Sequence, residues 1–436
     1  MDAAHGRWAL GGALLSVAAA ALLSAQAPVR PYKSLMAADH PAVAGIAPAG
    51  DAVARLAARL DRGEVTLGRG GGAQSDHGQS LLRAVLAALD VPVDSQVLVF
   101  SKTSVQAVHI SPARPRAIYF RDDVMVAHVP GTPGLEAVAI DPARGPVFYA
   151  LTVGAGGAPA FTATHTCLKC HHGPNTAGVP GVFVGSVVPG PNGAPLRDDT
   201  AIITDHRTPF AERWGGWFVT ARRGEPPSRA NAVAANPANR ASLVRDVPRN
   251  VPVLFGLVDP SAYLAPTSDI VALMTLEHQT QMQNLLTRVA WQARVAEAAM
   301  PGTPLAYAGL AADLADLVDY LTFADEVPLP EPVQGVSTFA ATFARRGPTD
   351  RRGRSLRDFD LRTRLFRYPV SYLLLSPAVD ALPGAVRTEL YRQVYERLTG
   401  HAPVRAGAPT VADRRAAVAI VSDTARGVPS FWRLPD

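Results

Sequence analysis

Apolar residues change their spacing several times along this chain, and each change marks a different kind of element. In 51–60 and 80–89 they recur every three or four positions, the spacing of two amphipathic helices. From 96 the period shortens. Five runs at 96–101, 117–120, 124–129, 135–140 and 147–153 are rich in β-branched and aromatic residues. Pro, Gly and Asp separate them, which predicts an antiparallel meander. Strand-like runs return at 182–188, 201–204 and 216–220, with the turn Pro189-Gly190-Pro191-Asn192-Gly193 between the first two. Beyond about 260 the spacing is helical again. Thr267 or Ser268 is the expected cap of a long helix ending near Ala299, followed by helices at 310–323, 386–398 and 411–426.

This order of elements predicts the α+β class, a β-rich middle region followed by a mainly helical C-terminal half. The expected segments are an N-terminal signal or anchor at 1–27, a linker at 28–50 and a helical segment at 51–94. A β-rich domain at 95–257 and a helical region at 258–436 complete the chain. Hydrophobic residues make up 48% of the 436 positions and charged residues 18%, which is globular rather than disordered. The net charge of +5 is modest for the length, and no basic helix interleaved with aromatic residues suggests nucleic acid.

The start of the chain has the form of an export signal. Arg7 precedes an apolar run at 8–23, and Ala25-Gln26-Ala27 resembles a cleavage site. Pro28 after it disfavours cleavage, so the alternative is an uncleaved membrane anchor. Gly68–Gly72, interrupted only by Arg69, is expected to be a flexible connection, because no lysine or strand-to-helix setting makes it a phosphate loop. A periplasmic or otherwise exported location is expected.

Only two cysteines occur, and both lie in Cys167-Leu168-Lys169-Cys170-His171. C-x-x-C-H is the attachment pattern of a c-type haem. Each thiol adds to one vinyl group of the porphyrin, and the following imidazole serves as proximal iron ligand. One covalent haem c is therefore expected, with Cys167, Cys170 and His171 binding it in a loop after the meander. Competing readings are a redox-active dithiol, half of a zinc site completed by His171 and His172, and a plain disulfide. A motif placed mid-chain between strands does not fit an ordinary small class I cytochrome c.

A six-coordinate haem needs a second axial ligand, usually histidine or methionine. His206, in the loop segment Asp205-His206-Arg207-Thr208-Pro209, is the first candidate distal ligand. His278 is the rival, in the polar patch Glu277-His278-Gln279-Thr280-Gln281 of an otherwise apolar helix. That patch implies either a buried hydrogen-bond network or cavity lining, or else a solvated turn. Met274 and Met282 are expected to fill core. Arg213-Trp214-Gly215-Gly216-Trp217 is either packing for a porphyrin and its propionate or a tight turn with two core tryptophans. Nine arginines between Arg345 and Arg367 form either an ion-paired surface or a dock for an acidic redox partner.

Several stretches together resemble a poorly characterised family of large, exported bacterial proteins with a single-haem cytochrome c domain. They are 95–104 (SQVLVFSKTS), 115–120 (PRAIYF), Asp141-Pro142 before Gly145-Pro146-Val147-Phe148-Tyr149, and Cys167 to His171. Thr204-Asp205-His206 leading to Arg213-Trp214-Gly215-Gly216-Trp217, and 353–361 (GRSLRDFDL), belong to the same set. The resemblance covers most of residues 80–430. It implies haem binding and export, and it brings no known substrate. Relatives carry a cysteine after the Tyr368-Pro369 segment, where this chain has Val370.

Three functions follow from these observations. The leading one is electron transfer through covalent haem, with a redox partner protein of unknown identity. The second is an oxidoreductase with an open distal face, acting on peroxide or on small sulfur or nitrogen compounds, with His278, Gln279 and Gln281 as distal groups. The third, a PAS-like haem sensor, lacks any visible output module.

Overall fold

The computed structural model describes residues 38–67, 78–153, 159–197, 199–245, 247–254, 256–400 and 409–432. The expected export signal, part of the expected linker and the glycine run at 68–72 lie outside the described residues. Three helices open the described chain: α1 (Pro41–Ala44), α2 (Ala52–Asp61) and α3 (Gln79–Ala88). The meander follows as β1 (Val97–Val99), β2 (Arg116–Arg121), β3 (Val124–His128), β4 (Leu135–Asp141), β5 (Gly145–Val153) and β6 (Pro159–Ala163). After it come α4 (Leu168–His171), β7 (Val184–Ser186), β8 (Ile202–Thr204), β9 (Trp217–Phe218), β10 (Ala232–Ala234) and β11 (Leu243–Arg245). The helical half comprises α5 (Ile270–Ala299), α6 (Ala308–Leu321), α7 (Phe339–Arg345), α8 (Pro377–Asp380), α9 (Gly384–Thr399) and α10 (Val411–Thr424).

Six meander strands and β9 form one antiparallel sheet in the order β6-β5-β4-β3-β2-β1-β9. Its period-two alternation divides the side chains between two cores. Phe120, Met125, Val138 and Phe148 are cross-strand neighbours and face the helical half. Tyr119, Val126, Ala137 and Tyr149 are likewise neighbours on the opposite face, covered by α2 and α3. The architecture is mixed α/β with an antiparallel sheet, as expected, and it is not a small class I cytochrome c fold. β6 extends the meander by a strand that the apolar pattern did not reveal, because this edge strand is mostly exposed.

Helix α5 is the axis of the helical half. Of its 30 residues, everything from Ile270 to Ala293 is buried. Leu273, Leu276, Met282, Leu285 and Val289 contribute the apolar part, each worth roughly 1.5–3 kcal/mol on burial. The helix is capped by Asp269 rather than Thr267 or Ser268. Asp269 Oδ1 accepts from the N–H groups of Val271 and Ala272, at 2.8 and 3.4 Å. Its Oδ2 accepts from the N–H groups of Val336 and Ser337, each at 2.8 Å. Ser268 is drawn away by the sheet edge, where its hydroxyl donates to Phe218 O and accepts from Leu98 N–H.

Asp269 is buried and serves both the start of α5 and the 335–337 turn. Removing its carboxylate strands several buried N–H donors at once. Asp269→Ala is expected to lower the unfolding free energy by about 3 kcal/mol, measured by urea denaturation. A loss under 1 kcal/mol would show that the cap does not organise this junction.

Candidate functional site

The C-x-x-C-H stretch forms one helical turn and not a loop. Cys167 O accepts from the N–H groups of Cys170 and His171, at 3.1 and 2.9 Å. Positions i, i+3 and i+4 of a helix share a face, so both thiols and the imidazole are brought to one side. Cys167 is half-buried, Cys170 is exposed, and both thiols are free.

His171 is fixed on three sides. Its ring lies between Phe148 of β5 and Phe183, with each centroid 5.1 Å away. Its Nδ1 lies 3.0 Å from the carbonyl of Gly181, which makes Nδ1 the protonated nitrogen. Gly181 N–H donates back to His171 O at 2.8 Å. Nε2 therefore carries the lone pair and faces away from Gly181. Burial holds the imidazole below its ordinary pKa, partly countered by the Gly181 bond, so the ring is neutral.

The loop behind this histidine is held from inside by α5. Asn284 accepts from Val182 N–H at 3.0 Å and donates to Val182 O at 2.8 Å. One turn further, Arg288 donates to Ala177 O at 2.8 Å and pairs with Asp313 at 2.9 Å. The contact is close enough that a Cβ on Gly181 would lie 2.3 Å from Asn284 Oδ1. Glycine is required there by space and not by backbone angle. Gly181, Asn284, Arg288, Phe148 and Phe183 were not anticipated from sequence. The available signal was Glu277, Gln281, Asn284 and Arg288 at spacings of four, three and four, a polar stripe on a buried helix.

His206 and His278 are hydrogen-bond partners. Their Nδ1 atoms lie 2.9 Å apart, and His278 Nε2 lies 2.7 Å from Ser371 Oγ. Both rings are buried beside Tyr320 and Phe323. His278 has both nitrogens engaged, whereas His206 Nε2 is buried with no partner. The ring contacts of His171 and of His206 share no residue. Gln279 is likewise committed, donating to Arg121 O at 2.7 Å and accepting from Tyr372 OH at 2.9 Å. The patch at 277–281 is thus a buried hydrogen-bond network.

Arg213 and Glu277 form a buried ion pair at 3.3 Å beside this network. Arg213 also donates to His206 O at 3.0 Å and Thr208 O at 2.7 Å. The cluster from Arg213 to Trp217 is a tight turn with two core tryptophans. Trp214 has φ +67° and is fully buried, and a Cβ on Gly215 would lie 1.9 Å from Val187 O. Met274 and Met282 are core, as expected. In the arginine-rich stretch, Arg346, Arg351, Arg354 and Arg357 pair with Asp90, Asp423, Asp350 and Asp122.

These arrangements bear on the alternatives for the cysteines. Burial raises the Cys167 thiol above its ordinary pKa, opposite to the lowered value of a redox-active dithiol. His172 turns away from His171 and meets Trp291 edge-on at 6.3 Å. Among the described residues no three His, Cys, Asp or Glu side chains cluster as zinc ligands would. No helix among them is long and apolar enough to cross a membrane.

No family model, curated protein or solved structure matches this chain. The site is therefore interpreted from its own geometry.

Burial pushes the Glu277 carboxyl up to about 7, against the pull of Arg213. Burial also holds His206 and His278 well below the ordinary imidazole value. Their effects on stability have opposite signs. Glu277 contributes stability that is complete below its unfolded value of about 4.3 and lost as the pH rises through about 7. The histidines contribute stability that is complete above about 6.5 and lost as the pH falls. Glu277→Gln removes the opposing proton. The loss of stability from pH 6.5 to 5 should steepen by about 1.4 kcal/mol per pH unit, read from urea unfolding at each pH. An unchanged slope would mean that Glu277 is ionised in the folded protein.

Proposed function

We propose that this chain is an exported c-type haem protein that transfers electrons. One haem is held covalently by Cys167 and Cys170, with His171 as proximal ligand. The observation that carries this reading is the bond from His171 Nδ1 to the Gly181 carbonyl at 3.0 Å. A ligating histidine is typically oriented in this way, its second nitrogen bound to a carbonyl or carboxylate and its first free for the metal. Nothing in a disulfide or a dithiol requires it.

The residues fit the group on chemistry as well as on spacing. Two free thiols and a neutral imidazole share one face of a helical turn. Phe148 and Phe183 supply an apolar flank to the ring. When bound, the haem supplies one-electron redox chemistry at its iron. The chain's own contribution is orientation. Gly181 fixes the ring's tautomer and raises its basicity through the carbonyl bond. Asn284 and Arg288 keep the loop that carries Gly181 against α5. The exposed side of Cys170 leaves the turn open to the maturation machinery and to a redox partner.

Protein from a host that matures c-type haem should show one covalent haem per chain by the pyridine haemochrome assay. The double variant Cys167→Ala/Cys170→Ala should lose it on acid–acetone extraction. Wild-type protein without covalent haem would end the proposal.

The sixth ligand is tested separately. His206 is packed against His278, Tyr320 and Phe323, and on the reading that this packing is its role, His206→Ala is expected to leave the ferric absorption spectrum unchanged. Its cost should fall on stability, at about 2–4 kcal/mol from the lost packing and the stranded Nδ1 of His278. A shift from low to high spin in this variant would instead establish His206 as distal ligand.

A further inference from the structure

Gly181 O and Val182 N–H belong to one peptide unit, and both of its polar ends are bonded to side chains. The oxygen accepts from His171 Nδ1 at 3.0 Å, and the N–H donates to Asn284 Oδ1 at 3.0 Å. The imidazole and the amide are thus joined in one line through the peptide. The Asn284 amide has a single possible orientation. Its Nδ2 donates to Val182 O at 2.8 Å, so the atom facing Val182 N–H is the oxygen. Asn284 is fully buried, and bulk solvent does not weaken these bonds.

Holding the loop does not by itself call for an acceptor at this peptide. Arg288, one turn along α5, also fixes the loop, through Ala177 O at 2.8 Å, on a peptide with no bond to His171. Asn284 reaches the peptide that does bond to it. Position 181 has no side chain, and a Cβ there would lie 2.3 Å from Asn284 Oδ1. The missing Cβ is what lets the amide oxygen approach.

A peptide group is polarisable along this line, because its resonance places negative charge on oxygen and positive charge on nitrogen. An acceptor at the N–H favours that form and makes the carbonyl a stronger acceptor. Such coupling strengthens chained hydrogen bonds by about 10–30% per bond. A stronger bond at Gly181 O draws the Nδ1 proton from the ring and leaves more electron density at Nε2. We propose that Asn284 is a positioning residue that sets the electron donation of His171, and through it the reduction potential of the bound haem, by way of the Gly181–Val182 peptide. The effect on potential rests on the haem reading above. An electron-richer imidazole favours oxidised iron, so Asn284 lowers the potential.

Asn284→Leu keeps the size of the side chain and removes the acceptor. In the haem-loaded full-length protein it should raise the potential by roughly threefold in the equilibrium with a fixed mediator, about 28 mV for one electron. In the full-length chain, with or without haem, the NMR resonance of the His171 Nδ1 proton should move upfield, as a weaker hydrogen bond requires. Arg288→Lys keeps a positive charge opposite Asp313 and disturbs the same loop without touching this peptide. It should move neither readout. Asn284→Asp keeps the acceptor oxygen and carries the test if the leucine variant does not fold. It should leave the resonance at or downfield of its wild-type position and should not raise the potential. An unmoved resonance in Asn284→Leu, an upfield one in Asn284→Asp, or an equal shift in Arg288→Lys would overturn the proposal. These outcomes are read from a proton of the chain itself. Absence of covalent haem in the haemochrome assay is a separate result, which ends the haem reading and the effect on potential with it.

Discussion

Polar side chains on a helix with no solvent-facing side must find partners inside the protein, and α5 carries many of them. An unpaired polar group in such a place costs on the order of 1–3 kcal/mol, and an unpaired charge more. Glu277, His278, Gln279, Gln283, Asn284 and Arg288 therefore each specify what lies opposite. Glu277 requires Arg213, His278 requires His206 and Ser371, and Gln279 requires Tyr372 and the end of β2. Asn284 and Arg288 require the carbonyls of Val182 and Ala177. A rotation of the helix by one position would break all of these together. The register of α5 is thus set by pairing rather than by its apolar surface, which covers nearly every side and selects none.

The segment bearing the two cysteines is held indirectly by the same helix. Its own turn is short and exposed at Cys170. What gives it a definite geometry is the sequence of bonds from Asn284 to Val182, across the peptide to Gly181, and from Gly181 to both ends of His171. Phe148 adds a second support from the sheet. His171, on a surface turn, is in this way positioned by the deepest element of the fold.

Much of the fold was legible in sequence because the relevant signals are local. Alternation from Val97 to Val153 produced the strands, since each residue's face depends only on its neighbours in the chain. The helical half was legible for the same reason. The misses have physical causes. Thr267 and Ser268 are good caps by residue type, but Ser268 is claimed by the edge of the sheet and Asp269 has the longer list of donors to satisfy. The 4-residue helix after Cys167 is indistinguishable from a loop in sequence, because one turn is too short to show a period. His206 and His278 were separately picked out as unusual, and nothing local indicates that residues 72 positions apart share a hydrogen bond.

By itself the sequence determined most of the meander strands, the long helices, and the two thiols and imidazole at Cys167, Cys170 and His171. These depend on residue type and short spacing. Tertiary structure alone decided which nitrogen of His171 is left free, why position 181 has no side chain, and how the buried polar groups are paired. Those outcomes depend on contacts that local spacing does not connect, from Gly181 with His171, 10 residues apart, to Asn284 with Val182, 102 apart, and only a folded chain brings such groups together.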